Sequence, residues 1–340
     1  MQLSNWLDCP HLRRASAQVP GLSFRGFRGA PDIEKMSTVS HMSWKADGVE
    51  WLLAAEETAS WLEDKSDHDR HMDLLFAEVE GDVVGYSEVV WDSSVADPKY
   101  YGHSVYLLPG WRGKGIAEAM FESNEARIRE ISAAYPAGGR AYIRVWAYDG
   151  PSEWRSVIES SGFFPAWHLL EMAHADLVSV RDCPTPEGLD FGPVRPDEYP
   201  KVWALFRECF SDEQWSSPEK WSEKAYREWL ASPNFMPALW MVARSGEDVI
   251  GVVENYANKD EWAAYGRKVA HSNRVCVRSD WRRKGVTTYL LTQSLKLLRG
   301  IGVEEITLDT EVENKSMAMK VYEGVGFTAR RTFTFYAKPL

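Results

Sequence analysis

Residues 273–298, NRVCVRSDWRRKGVTTYLLTQSLKLL, bring together residue types that could hold an anion. Val275, Cys276 and Val277 suit a buried strand, Arg282, Arg283, Lys284 and Gly285 form a basic turn, and Val286 and Thr287 open a helix. Apolar Val286, Leu290, Leu291, Leu295 and Leu298 then recur at helical spacing. A turn that opens a helix leaves backbone N–H groups without intrahelical partners at the positive end of the helix dipole. Such a place favours phosphate. The glycine lets the backbone approach closely, and Arg and Lys add charge suited to a pyrophosphate. Taken alone, one basic turn is more often only a solvated loop.

A second copy changes that balance. In HSVYLLPGWRGKGIAEAMFESNEARIREI the same order recurs, with Arg112, Gly113, Lys114, Gly115, Ile116 and Ala117 opening a helix whose apolar face is Ile116, Ala119, Met120, Ile128 and Ile131. Arg112 and Arg282 stand 170 positions apart, Gly85 and Gly251 of two glycine-bearing hairpins 166, and Gly162 and Gly326 of ESSGFF and EGVGFT 164. Three landmarks in one order at nearly one offset mark an internal duplication.

The length of 340 residues suits two domains. Residues 1–22, with few apolar positions, read as an extension packed on the surface or partly mobile. The first domain is expected over 23–176, a linker rich in proline over 177–188, and the second domain over 189–340, closed by the alternating strand RTFTFYAK. Each half alternates helices and strands in the manner of a mixed sheet with helices on both faces. A net charge of −11 argues against a nucleic-acid partner. No apolar run reaches the roughly 18 residues of a spanning helix, so no membrane role is expected and the cytoplasm is the expected compartment. Cys9, Cys183, Cys209 and Cys276 match no zinc or disulfide spacing and are expected to be reduced; no metal site is expected. Most of the 16 tryptophans belong to the core or to packed surfaces, with a few left for a substrate pocket.

The pattern Arg-x-x-Gly-x-Gly/Ala at a strand-to-helix turn, followed by a strand, Asn314, Tyr322 and Gly326-Phe327, resembles the GNAT superfamily of N-acetyltransferases. The tandem layout is similar to the two-domain branch that includes mycothiol synthase. The resemblance covers most of residues 189–340 and, more weakly, residues 24–175; Thr287 departs from it, standing where the family has Gly or Ala. It implies an α/β (α+β) fold of two tandem GNAT-like domains, each a mixed, mostly antiparallel sheet flanked by helices. It also implies acetyl-CoA as cosubstrate, bound at the strand Val275 to Val277 and the turn Arg282 to Thr287, and at Arg112 to Ala117 if the first domain binds it too.

Acetyl transfer from a thioester needs a neutral amine, a polarised carbonyl and a proton for the departing thiolate. By the resemblance Tyr322 is the proton donor, and Asn314 holds the cofactor arm; the plain alternatives are a core tyrosine and a helix N-cap. For the base, counting back eleven from Arg282 reaches His271, where mycothiol-synthase-like proteins carry a glutamate; Glu254 and Glu311 are the alternatives. Cys276 raises an acyl-cysteine route, disfavoured by its setting between two valines with no obvious base nearby. The first domain has Ile158 and Gly150 where the second has Tyr322 and Asn314, and is expected to be non-catalytic. The resulting expectation is an acyltransferase moving acetyl to the primary amine of a small molecule, acting as a monomer or homodimer. A peptide N-acetyltransferase and a non-catalytic acyl-CoA-binding protein are the alternatives.

Overall fold

The computed structural model describes residues 9–63, 69–91, 98–150, 153–213, 216, 218–312 and 318–340. Two compact units emerge, Met1–His168 with Thr332–Leu340, and Leu169–Arg331.

In the first unit α1 (Pro10–Gln18) leads into β1 (Leu22–Gly26), α2 (Ala30–Ala46), α3 (Ala55–Glu63) and the single turn α4 (Arg70–Asp73). The hairpin β2 (Leu74–Val79) and β3 (Asp82–Val90) follows, then β4 (Lys99–Leu107), α5 (Ile116–Ala134), β5 (Ala141–Tyr148), α6 (Glu153–Ser160) and β6 (Phe164–His174), whose last residues belong to the second unit. The second unit continues with β7 (Asp190–Pro193), α7 (Tyr199–Phe210), α8 (Glu223–Ala231), β8 (Met241–Ser245), β9 (Asp248–Tyr256) and α9 (Lys259–Tyr265). It ends with β10 (Val269–Val277), α10 (Val286–Gly300), β11 (Glu305–Glu311), α11 (Ala318–Val325) and the start of β12 (Thr328–Pro339).

Strands in the first unit lie in the order β1, β2, β3, β4, β5, β12, and in the second β6, β11, β10, β9, β8, β7. Neighbours pair antiparallel in every recorded ladder except β4 with β5 and β10 with β11, where a helix carries the chain across. Each sheet is therefore mixed and mostly antiparallel, with helices packed on it, as the sequence implied. The amphipathic faces land where the periodicity puts them: Ile116, Met120, Ile128 and Ile131 of α5 and Leu290, Leu291, Leu295 and Leu298 of α10 are all buried.

The structure divides the chain differently from the sequence at three places. Residues 10–18, expected within an extension packed on the surface or partly mobile, form a helix: Leu12, Ala15 and Val19 lie toward one side and bury in a cluster with Ile116 and Met120 of α5. Few apolar residues suffice when their spacing puts them on one face. The strand RTFTFYAK does alternate, but its residues from Thr332 onward pair with β5 in the first unit, Phe333 opposite Tyr148 and Tyr336 opposite Val145. Residues 169–174, expected in the first domain, pair with β11 in the second. Alternation identifies a strand without choosing its neighbour.

Candidate active site

In the second unit β10 and β11 run parallel from Val269–Glu305 to Ser272–Leu308, and no β10–β11 pairing is recorded beyond that point. On its other edge β10 stays paired with β9 through Val277–Gly251, after a bulge in which Asn273 is the extra residue between Ser272 and Arg274. Glu254 holds the bulge: it accepts from Asn273 Nδ2 at 2.9 Å and Arg274 Nη1 at 3.1 Å, and from Trp229 Nε1 at 2.7 Å. The two parallel strands thus part, and Val275 to Val277 present one open edge to the gap.

The chain then reaches the basic turn. Arg282 is extended, Arg283 has a left-handed φ of 61° and Gly285 a φ of 79°, directly capping α10 without any side-chain hydrogen bond. A Cβ at Gly285 would meet nothing within 4 Å, so the approach to the first helical turn, Val286 and Thr287, is open. Lys284 folds its ammonium over the Trp281 ring at 4.6 Å, and Arg282 Nε donates to Val277 O at 3.2 Å. These features match what an anionic pyrophosphate needs: unpartnered N–H groups, flanking cations and room.

The first unit repeats this geometry. β4 and β5 pair in parallel from Lys99–Ala141 to Gly102–Arg144, Gly113 and Gly115 have φ of 71° and 76°, and Lys114 lies over Trp111 at 4.2 Å. Ile116 and Ala117 open α5 there, both buried. Two differences separate the copies. Arg112 is committed to Asp47 at 2.6 and 3.0 Å and to Ser43 at 2.9 Å, and its side chain with Trp44, Tyr106, Trp146, Tyr148 and Trp154 lines a cleft. Ile158 is fully buried among Val157, Phe163 and Val145, and Gly150 is exposed. At these positions the first unit has no side chain able to give a proton.

Tyr322 on α11 is buried, packs 6.0 Å from the Phe327 ring, and has its phenol pushed up to about 12 by burial and by the neighbouring Cys276. It therefore stays protonated at any physiological pH, beside the open strand edge. Cys276 is itself buried, and burial with its hydrogen bond to Cys209 pushes its thiol well up, which works against an acyl-cysteine route. Asn314 lies outside the described residues.

The expected bases are placed as follows. His271 contacts Thr307 Oγ1 through Nδ1 at 2.8 Å and Glu261 Oε2 through Nε2 at 2.7 Å, and stacks on Tyr256 at 5.0 Å; both ring nitrogens are occupied. Glu254 is buried under its three donors, and Glu311 ends β11 opposite Leu169. The residue that sequence reasoning missed is Asp309. It stands on β11 one residue past the last pairing with β10, opposite Glu171 of β6, on the face that carries Thr307 and His271. Its surface is open to solvent, yet surrounding protein and the Glu171 carboxylate push its carboxyl up to about 7, with His271 and Arg331 pulling the other way. The exposed side of Asp309 leaves it within reach of a substrate. In the sequence Asp309 is simply the polar member of an alternating strand.

With this geometry in hand, comparison with known proteins is decisive. The profile of the Acetyltransferase (GNAT) family matches residues 37–135 and 199–327, more than half of the chain. The chain belongs to the GNAT family of acetyltransferases. A GNAT N-acetyltransferase from Sphaerobacter thermophilus has a similar fold, with a TM-score of 0.70 at 20% identity over 94% of this chain and 96% of that one. A tandem GNAT protein of the clavulanic acid biosynthesis pathway follows with 0.63, 16%, 94% and 98%. In sequence the chain is 32% identical over 101 residues to N-alpha-acetyltransferase 30 of Xenopus laevis, a stretch covering 29% of this chain and 36% of that protein. This GNAT chain thus spans about a third of that relative's length. Its enzyme class, acyl transfer, and its two-domain GNAT fold are shared with the family. No helix among the described residues is long and apolar enough to cross a membrane.

Proposed function

We propose that this acetyltransferase moves the acetyl group of acetyl-CoA to the primary amine of a small molecule, and that its second unit performs the reaction. The observation that carries the reading is Tyr322, a protonated phenol next to Cys276 on the open strand edge. Acetyl-CoA fits the residues present: the edge Val275 to Val277 would pair with the pantetheine arm as an added strand, and Arg282 to Thr287 would receive the pyrophosphate. The amine nitrogen attacks the thioester carbonyl carbon directly, and the C–S bond breaks. Tyr322 donates to the departing sulfur, and Asp309, ionised near neutral pH, takes the proton that the amine nitrogen releases. A base poised near 7 suits an ammonium that must lose its proton at physiological pH.

A pairing of functional and silent halves follows from Ile158 and the committed Arg112 in the first unit. Resemblance to a tandem GNAT of a small-molecule pathway supports a small acceptor. The partial likeness to N-alpha-acetyltransferase 30 favours a second reading, transfer to a peptide N-terminus. A panel of amines and peptides with thiol release as readout tests both. Tyr322→Phe should lose on the order of 100-fold in turnover while its affinity for acetyl-CoA holds. Turnover equal to the parent's would return Tyr322 to the core, and absence of transfer to every acceptor would leave an acyl-CoA-binding protein.

A further inference from the structure

Four guanidinium groups of the first unit are wholly or largely buried, and three of them have carboxylates. Arg25 pairs with Asp32 and Glu78 at 2.7 and 2.6 Å, Arg127 with Asp73 at 2.8 Å, and Arg112 with Asp47 at 2.6 Å. Arg144 on β5 is different. Among the described residues no ion pair is found for it, and burial lowers its pKa with only Tyr100 acting the other way. Its guanidinium sits over three rings, Tyr100 at 5.0 Å, Trp167 at 5.1 Å and Phe335 at 5.8 Å. Trp167 and Phe335 themselves pack at 4.3 Å, and the Trp167 indole N–H is buried without an acceptor. Opposite Arg144 on β4 is Gly102, which presents no side chain.

An enclosed cation without a counter-charge is unfavourable, and an unused indole donor in the same cluster adds to the imbalance. Aromatic faces offset part of the charge, but they satisfy none of the N–H donors at the guanidinium edge. A planar fork of donors matches the two oxygens of a carboxylate. The walls are apolar rings, which suit an aromatic or aliphatic body. A phosphate, with more charge and no second cation here, fits less well. We propose that the first unit binds an organic monocarboxylate with an apolar body, its anion held by Arg144 and its body by Tyr100, Trp167 and Phe335. The site needs no acetyl-CoA and stands apart from the proposed transfer reaction.

The test uses the full chain and phenylacetate as probe, followed by tryptophan emission and by calorimetry, with phenylacetamide as the neutral isostere and inorganic phosphate as the competing anion. Saturable phenylacetate binding is expected, with the amide and phosphate each weaker by roughly tenfold or more, as loss of a charge-assisted pair or of the apolar walls requires. Arg144→Met should lose the same factor while its melting temperature holds or rises, since an unpaired charge has been removed. Arg144→Lys, which keeps the charge and loses the fork, should be intermediate, and Trp167→Phe should weaken binding a few-fold. Equal affinity for acid and amide, tighter binding of phosphate, or no saturation by phenylacetate in the millimolar range overturns the assignment. If Arg144→Met does not fold, Arg144→Lys decides alone, and full retained affinity in it overturns the assignment as well.

Discussion

Replacing Asp309 by asparagine should make the protein slower and more stable at once. The carboxyl rises from 3.8 to about 7 because surrounding protein and Glu171 disfavour its charge. Three units would be about 4 kcal/mol between charged and neutral forms if the group were sealed from water. It is exposed, however, so solvent screening reduces the effect to about 1 kcal/mol. Since the folded pKa lies above the unfolded one, the favourable contribution of the protonated group is present at acid pH and lost as pH rises through 7. At pH 8 the ionised carboxylate therefore opposes folding, and Asp309→Asn, neutral and of the same shape, should unfold at higher urea by about 1 kcal/mol. At pH 5 the gain should be smaller. In the acetyl-transfer assay the same variant should lose on the order of 100-fold, and the limb of the parent's rate profile that rises toward pH 7 should disappear. The groups facing Asp309 are Glu171 on β6, His271 on β10 and Arg331 on β12, so Glu171→Gln should move that limb to lower pH. A variant at Asp309 that keeps the parent's rate and its pH limb would refute the reasoning.

Other outcomes follow from the turns and the buried pairs. Gly285→Glu should abolish turnover, because it places a side chain at a φ of 79° and a negative charge where phosphate would lie, whereas Gly115→Glu should leave most turnover in a folded protein; the reverse pattern in acetylation assays would move the active site to the first unit. Arg283→Gly should raise stability by about 1 kcal/mol in urea unfolding, since Arg283 holds a φ of 61° where the first unit has Gly113, while weakening acetyl-CoA binding measured by calorimetry. Arg244→Met should cost about 3 kcal/mol at pH 7, because it leaves Glu198 buried without the guanidinium that bonds it at 2.6 and 2.8 Å. That hydrogen bond from Arg244 holds the Glu198 carboxyl down at about 2, so its contribution is full above the ordinary carboxylate range and is lost as pH falls toward 2. Acid titration of the parent followed by circular dichroism checks the sign.

The turns were legible because their chemistry is local. A glycine before an apolar helix, with basic neighbours, specifies its own geometry in four or five residues, and both copies adopt it within a few degrees at Gly115 and Gly285. Tyr322 was legible only through the family pattern, since a tyrosine on an apolar helix face is otherwise a core residue. The bulge at Asn273 beside the parting of β10 from β11 was not legible, because a bulge is set by pairing across strands. Asp309 was missed for a similar reason: its pKa is raised by the protein packed around it and by Glu171, 138 positions away in the sequence. Helix α9 was overlooked although Asn258 caps its start and Gly266 its end, since seven residues make too few turns for periodicity to show.

The first unit of this duplicated chain is not a contiguous piece of sequence, and the second begins before the linker. The strand that borders β5 is made of residues from Thr332 onward, and the strand that borders β11 comes from before the linker. During synthesis the first half can assemble its helices and five of its strands early, but one edge of β5 must wait for its partner until some 160 further residues have been translated. An open strand edge is a template for wrong partners. The exchange therefore joins the fates of the two halves: a chain stopped before Thr332 would damage the first unit, and a nick in the linker would leave two fragments, each lacking a strand that the other carries.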